Sequence, residues 1–368
     1  MFWRSALLLA ALITPLPAVP VFIGTGKSDD AKGIYRADFD PTTGTLGKPV
    51  LAAEYRSPGF LTEHPSKPVL LCIGAPRKPF ADGSSSVAAF KIGADYGLSF
   101  LGEAPTGGHG ACHLAVDPAG RTLAVANYGD GHISTVRLDE NGVPQKPVSV
   151  IVHHGKGPNP KRQERPHAHG VYFDKTGTRL FATDLGLDKV FVYPFDPATS
   201  KLGEPLAPLK APPGSGPRHM AFSPDWRYAY VIDEMGGSLF AASLHDGAFK
   251  PIQTVSTLAA DFSGINTSAE VEVSRDGRFV YATNRGPDDI AVFRRDPETG
   301  KLTFLQRVPC GGKHPRHFKI SPDGKWLLCA HMISDSISVL PIDPATGKLG
   351  VPVCTVSTPS PICVLFPR

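Results

Sequence analysis

Four ionisable side chains interrupt an otherwise regular internal repeat: His169, Arg218, Glu234 and Arg285. A His or a Glu takes a proton from water when its surroundings tune it toward neutral pH. An Arg holds a carboxylate or phosphate through two parallel hydrogen bonds, or stabilises an oxyanion as it develops on a carbonyl. The set suits general-base attack of water on a carbonyl centre, with His169 and Glu234 as catalytic candidates and Arg218 and Arg285 as anion-binding ones. His113, His219, Arg316 and His317 stand in the same or adjoining columns of the repeat and complete the candidate substrate-binding set. For these three histidines a structural role reads as well as a role at the site.

Distant residues meet only if the repeat has a regular architecture. The unit is a short apolar strand, then Asp-x-x-Gly or Ser-Pro-Asp-Gly, then a basic residue and a second apolar strand. It runs through VDPAGRTLAVAN (116–127), FDKTGTRLFATD (173–184), FSPDWRYAYVID (222–233), VSRDGRFVYATN (273–284) and ISPDGKWLLCAH (320–331), with a degenerate copy at EHPSKPVLLCIG (63–74). The turn positions, Lys67, Gly120, Gly177, Trp226, Gly277 and Gly324, recur at about 51 residues, the period of a propeller blade. A second element, Asp-Pro-x-Thr-(Gly/Ser)-x-Leu, recurs at 40–46, 196–202, 296–302 and 343–349 and reads as a hairpin turn between outer strands. Segment 21–47 holds only the last three strands of a unit, and 360–366 supplies an innermost one. The expected fold is all-β: a seven-bladed β-propeller over 19–368, its last blade closed by strands from both chain ends, which removes free sheet edges.

Counting from each turn locates the site. Eight and seven residues before it, at the start of the innermost strand, stand Cys112, His169, Arg218 and Arg316, then His113, His219, Glu270 and His317. Seven and eight after it, at the end of the second strand, stand Asn127, Asp184, Asp233 and Asn284, then Tyr128, Glu234 and Arg285. These two strands form a hairpin, so both columns lie at one end of the blade and ring one mouth of the central channel. The Asn127/Asp184/Asp233/Asn284 column reads as hydrogen-bonded ties between blades, although it would also permit a divalent ion in the channel. The insertion HHGKGPNPKRQERPHAH (153–169) reads as a rim loop over the mouth.

Composition narrows the remaining classes. The 38 Gly and 37 Pro are spread along the chain and mark many turns. A net charge of +4 without a Lys/Arg run gives no nucleic-acid footprint and no polybasic membrane patch. Residues 1–18 read as a cleaved export signal: Arg4, an apolar run from Ala6 to Ile13 too short to span a bilayer, and Ala18 at the end of Leu-Pro-Ala. The six cysteines show no CxxC spacing, which argues against a zinc or thioredoxin-like site. A monomer without metal or other cofactor is expected.

The motifs GPNPKRQERPHAH (157–169), DLGLDKVFVYPFDP (184–197), GSGPRHMAFSPD (214–225), AEVEVSRDGRFVYATNRG (269–286) and HPRHFKISPDGKWLL (314–328) resemble the lactonase propeller family. That family includes bacterial propeller-type 6-phosphogluconolactonases and the fungal carboxy-muconate cyclase. The resemblance covers essentially everything after residue 18. It implies metal-independent hydrolysis of a small-molecule sugar lactone such as 6-phosphogluconolactone, with the family's His, two Arg and Glu falling on His169, Arg218, Arg285 and Glu234. The alternatives left standing are a lactonising cyclase, a metal-dependent gluconolactonase-like enzyme, and a non-catalytic exported binding propeller. Two features depart from the pattern: IGAPRKPF (73–80) replaces the usual Asn-Glu strand end, and Trp226 replaces a turn Gly. An export signal also sits uneasily with a cytosolic phosphosugar.

Overall fold

A computed structural model describes residues 18–368, so the export-signal reading of residues 1–18 lies, but for Ala18, outside the described residues. Each Asp-x-x-Gly motif is the turn between the two inner strands of an antiparallel sheet. In one blade Ala111–Val116 pairs with Thr122–Asn127, and Asp117 closes the turn by accepting from the Arg121 and Thr122 N–H groups at 2.7 and 2.6 Å. The turn glycines require positive φ, as at Gly120 (69°) and Gly277 (73°). Trp226 adopts the same conformation at φ 59°. Its ring stacks on Phe222 with centroids 4.3 Å apart, which offsets a backbone cost of about 1–2 kcal/mol.

Seven such sheets follow one another, numbered here as blades from the N-terminus: II (61–105), III (111–152), IV (168–210), V (217–256), VI (267–309) and VII (315–357). Blade I draws on both ends of the chain, as expected. Val19–Thr25 and Gly33–Asp40 carry the outer pieces Thr45–Leu46 and Val50–Glu54, and Pro361–Leu365 adds the innermost strand in the register Ile23↔Val364. The second strands are buried on both faces; Thr122–Asn127 has no accessible residue. The outermost strands, such as Pro144–Val152, alternate toward solvent. Apolar side chains interleave between blades. Val21, Ile23 and Val364 pack with Leu328, Ile337 and Val339 of blade VII, while Phe22 and Cys363 pack with Leu61, Leu70 and Cys72 of blade II.

Two sets of side chains tie the blades together, and the set expected from the sequence does so away from the mouth. The Asp-Pro-x-Thr-Gly turns dock on aromatic rings of the preceding blade. Tyr230 Oη donates to Gly300 O at 2.9 Å, Tyr281 Oη to Gly347 O at 2.9 Å, and Trp326 Nε1 to Pro41 O at 2.9 Å. A Cβ at Gly300 would meet the Tyr228 ring at 2.2 Å, so only glycine fits there. In the Asp/Asn column, Asp184 and Asn284 tie the linkers entering their blades and Asp233 the hairpin within its own, while the buried Asn127 side chain makes no hydrogen bond among the described residues. Asp184 accepts from His153 Nδ1 at 2.6 Å and from His167 N at 2.9 Å; Asn284 Oδ1 accepts from the Thr257 hydroxyl at 2.8 Å; Asp233 accepts from the Ser238 hydroxyl at 2.8 Å. The reason is pleat geometry. Neighbouring residues of a strand point to opposite faces, so these side chains turn away from the mouth while the next residue turns toward it.

Candidate active site

The innermost strands enter the mouth through β-bulges. In blade IV Ala168 pairs with Asp184 and Gly170 with Thr183, which leaves His169 as the extra residue. Arg218 is the extra residue between Pro217 and His219, Arg316 between Pro315 and His317, and Cys112 between Ala111 and His113. A bulge re-aims a side chain that regular pairing would commit to one sheet face. Here it delivers His169, Arg218 and Arg316 from three blades, while Glu234 and Arg285 arrive from the strand ends opposite. A pocket of about 480 Å³ results, lined by Cys112, Tyr128, Arg162, His169, Glu234, Arg285 and Arg316 among others.

Glu234 sits at the centre of the charge arrangement. Its Oε2 lies 2.9 Å from Arg285 Nη2, 3.2 Å from Arg218 Nε and 3.9 Å from His169 Nε2; its Oε1 accepts from Arg162 Nη2 at 2.5 Å. Burial raises the carboxyl pKa, but Arg285, Arg218 and Arg162 outweigh it and hold the group at about 2. Burial, and then Arg218, His219 and Arg316, push His169 well below the ordinary imidazole range, so it is neutral at physiological pH. Its Nδ1 is buried without a hydrogen-bond partner.

The arginines divide by what they already hold. Arg218 Nη1 donates to Ala269 O at 2.6 Å, and Arg285 Nε to Thr267 O at 2.8 Å, so both are anchored to backbone as well as to Glu234. Arg316, among the described residues, has neither a carboxylate at ion-pair distance nor a side-chain hydrogen bond. Burial and the adjacent Arg218 lower its pKa to about 10, the mark of a charge that lacks compensation. It is the cation left free to meet a ligand. With Arg162, Arg285 and Arg316 in its wall and Arg218 behind it against one glutamate, the pocket attracts anions.

A single family model decides the relationship: that of the lactonase, 7-bladed beta-propeller, matches residues 20–366. The chain belongs to the lactonase seven-bladed β-propeller family. This lactonase propeller is 35% identical over 349 residues to the 6-phosphogluconolactonase of Bacillus subtilis (strain 168), covering 94% of this chain and 97% of that one. It is 34% identical over 239 residues to the 6-phosphogluconolactonase of Formosa agariphila, 64% of this chain and 67% of that one. Among solved structures it resembles the periplasmic gluconolactonase of Pseudomonas aeruginosa at a TM-score of 0.89, with 31% identity over 95% of this chain and 99% of that one.

Within this lactonase propeller the residues expected at the site fall into two layers. His169, Glu234, Arg285 and Arg316 line the pocket, and Arg218 stands behind Glu234 at 3.2 Å. His113, His219 and His317 lie deeper, outside its wall. His219 Nδ1 is 2.9 Å and His317 Nε2 3.5 Å from Glu270 Oε2, and His113 Nδ1 accepts from Val171 N at 3.3 Å. His219 and His317 flank a separate cavity of about 90 Å³ bounded also by Phe60, Arg218 and Arg316. They adjoin the pocket through the His219 ring, whose centroid is 5.0 Å from that of His169. Asp184, Asp233 and Asn284 are absent from the pocket wall.

Sequence reasoning placed Tyr128 in a mouth column without giving it a role, and it missed Arg162 as a pocket residue. The rim loop that carries Arg162 is fastened by Gln163, which donates to Leu185 O at 2.8 Å and Asp188 Oδ1 at 2.7 Å, and by His153 between Asp184 and Tyr193. A loop outside the repeat register offers no column to read, so its four basic residues could not be ranked.

Proposed function

We propose that this chain hydrolyses a sugar lactone, with His169 as general base and Glu234 as its electrostatic partner. The observation that carries the reading is a neutral, buried imidazole 3.9 Å from a carboxylate that three arginines keep ionised. Glu234 at about 2 is too weakly basic to take the proton from water itself. It can stabilise the imidazolium that forms when His169 does. The water oxygen bonds to the lactone carbonyl carbon, the ring C–O bond then breaks, and the proton held by His169 passes to the departing ring oxygen. An arginine lining the mouth stabilises the oxyanion between those steps.

Arg316 and Arg162 hold an anionic substituent, a phosphate or a carboxylate. Such a ligand also neutralises the positive field that depresses His169, and so raises the basicity of the imidazole as the substrate binds. No step calls for a metal ion. The family supports the lactone class, and the arginine excess supports an acidic member of it. Residues 1–18 carry the features of an export signal, and a periplasmic gluconolactonase is among the structural relatives; we place the mature protein, a monomer, outside the cytoplasm.

The test is a panel of sugar δ-lactones with and without a 6-phosphate, assayed as rate above spontaneous hydrolysis. The expected result is turnover of at least one, with lower KM for the phosphorylated form. Rates equal to buffer for the entire panel would remove the hydrolase reading.

A further inference from the structure

Outside the pocket, three buried donors converge where blades VI and VII meet. Cys329 and His331 lie two apart on Trp326–His331 and so share a face; Cys310 follows the outermost strand of blade VI, Leu302–Pro309. Their ligating atoms all lie within 4.8 Å of one another, and all three residues are fully buried. His331 Nδ1 is 3.6 Å from Cys310 Sγ and 4.0 Å from Cys329 Sγ.

We propose that Cys310, Cys329 and His331 form a structural site for a soft d10 cation, Cu(I) or Zn(II). An ion about 2.3 Å from sulfur and about 2.0–2.1 Å from nitrogen, at trigonal or tetrahedral angles, requires sulfur–nitrogen separations of about 3.6–3.8 Å. The unloaded cluster already stands close to that. The tautomer is fixed from behind. The Ser338 hydroxyl donates to Cys310 O at 2.6 Å, so it accepts at 2.8 Å from His331 Nε2, and the Nδ1 lone pair faces the sulfurs. Two thiols and an imidazole, with no carboxylate, select a soft or borderline ion. Cu(I) is satisfied by three such donors. Zn(II) would add a fourth. Loading releases both thiol protons to solvent. The absence of CxxC spacing hid the site, because strand pairing rather than local sequence brings the donors together.

Its position gives it a purpose. Asp288, whose carbonyl O is 2.9 Å from Cys310 Sγ, follows Arg285 by three residues and accepts from His314 N at 2.8 Å, two residues before Arg316. An ion there staples the segments that carry two pocket arginines.

The experiment uses the reduced, metal-stripped full chain, titrated separately with Zn(II) and with Cu(I) under a competing chelator, and read by bound stoichiometry, thiolate-to-metal charge-transfer absorption and Tm. One equivalent of either ion with a raised Tm is expected. Binding should be lost in Cys329→Ser and in His331→Asn and kept in Cys354→Ser, with folding of each variant verified by circular dichroism; should His331→Asn fail to fold, Cys329→Ser decides. No binding by the folded reduced chain, or undiminished binding by folded Cys329→Ser, overturns the proposal. A Cys310–Cys329 disulfide in the protein as purified, seen as a two-hydrogen mass deficit, overturns it as well.

Discussion

Arg316 differs from the other pocket arginines in having nothing to hold. Charge-assisted hydrogen bonds are worth about 1.5–3 kcal/mol, and each 1.4 kcal/mol is tenfold. Arg316→Ala should therefore raise KM for a phosphorylated lactone by about tenfold to a hundredfold, with kcat changed little and KM for the neutral lactone unchanged. Steady-state kinetics on the matched pair check this. The histidines predict pH behaviour. His169 must be neutral to act and its pKa lies well below 6.5, so kcat/KM should stay level as pH falls through 6.5 and drop only in more acidic solution. Stability follows a different course. Burial holds His317 at about 3, so between the unfolded value near 6.5 and about 3 the unfolded chain binds more protons than the native one. Native stability must fall as pH drops through that window, and denaturation midpoints at pH 7 and pH 5 in His317→Asn should show a shallower dependence than the parent.

At the scale of the element, the strand-start bulges and the rim loop set the precision of the site. Gln163 joins the loop to the Leu185–Leu187 turn of 3-10 helix and to Asp188 without reaching the pocket wall. Gln163→Ala should cost about 1–2 kcal/mol of stability, as expected for lost buried hydrogen bonds, and raise KM severalfold through a displaced Arg162. Thermal melts and kinetics on the same preparation separate the two effects. The elements were legible in the sequence to unequal degrees. Turn glycines and the Asp-Pro-x-Thr-Gly hairpins announce themselves, because positive φ and Asx turns tolerate few residues. The bulges do not. The extra residue can be Cys112, His169, Arg218 or Arg316, with no shared side-chain type, so the alignment gave the columns but not which of them pointed inward. For that reason His113, His219 and His317 were grouped with residues that stand a layer above them.

For the whole molecule, closure is the decisive feature. Pro361–Leu365 supplies the hydrogen-bonding edge that blade I lacks and packs Cys363 and Val364 against two neighbouring blades. Val364→Ala should cost about 2 kcal/mol by leaving a cavity among Ile23, Leu328 and Val339. Deleting residues 360–368 should abolish cooperative unfolding in denaturant, because an open ring exposes an unpaired inner edge. The terminal complementarity was readable from the repeat count alone, since a unit lacking one strand at one end matches a lone strand at the other. Arg162 was not, because its loop lies outside the repeat register and only the closed ring shows which of its basic residues reaches Glu234.

The account rests on His169 and Glu234 acting as one unit. A double-mutant cycle measures this directly: kcat on an accepted sugar lactone, corrected for spontaneous hydrolysis, for the parent, His169→Ala, Glu234→Gln and the pair. Each single change should lower kcat by about 10²–10⁴, and the double variant should be no slower than the worse single one. Parental kcat in either single variant, or losses that multiply in the double, would contradict it.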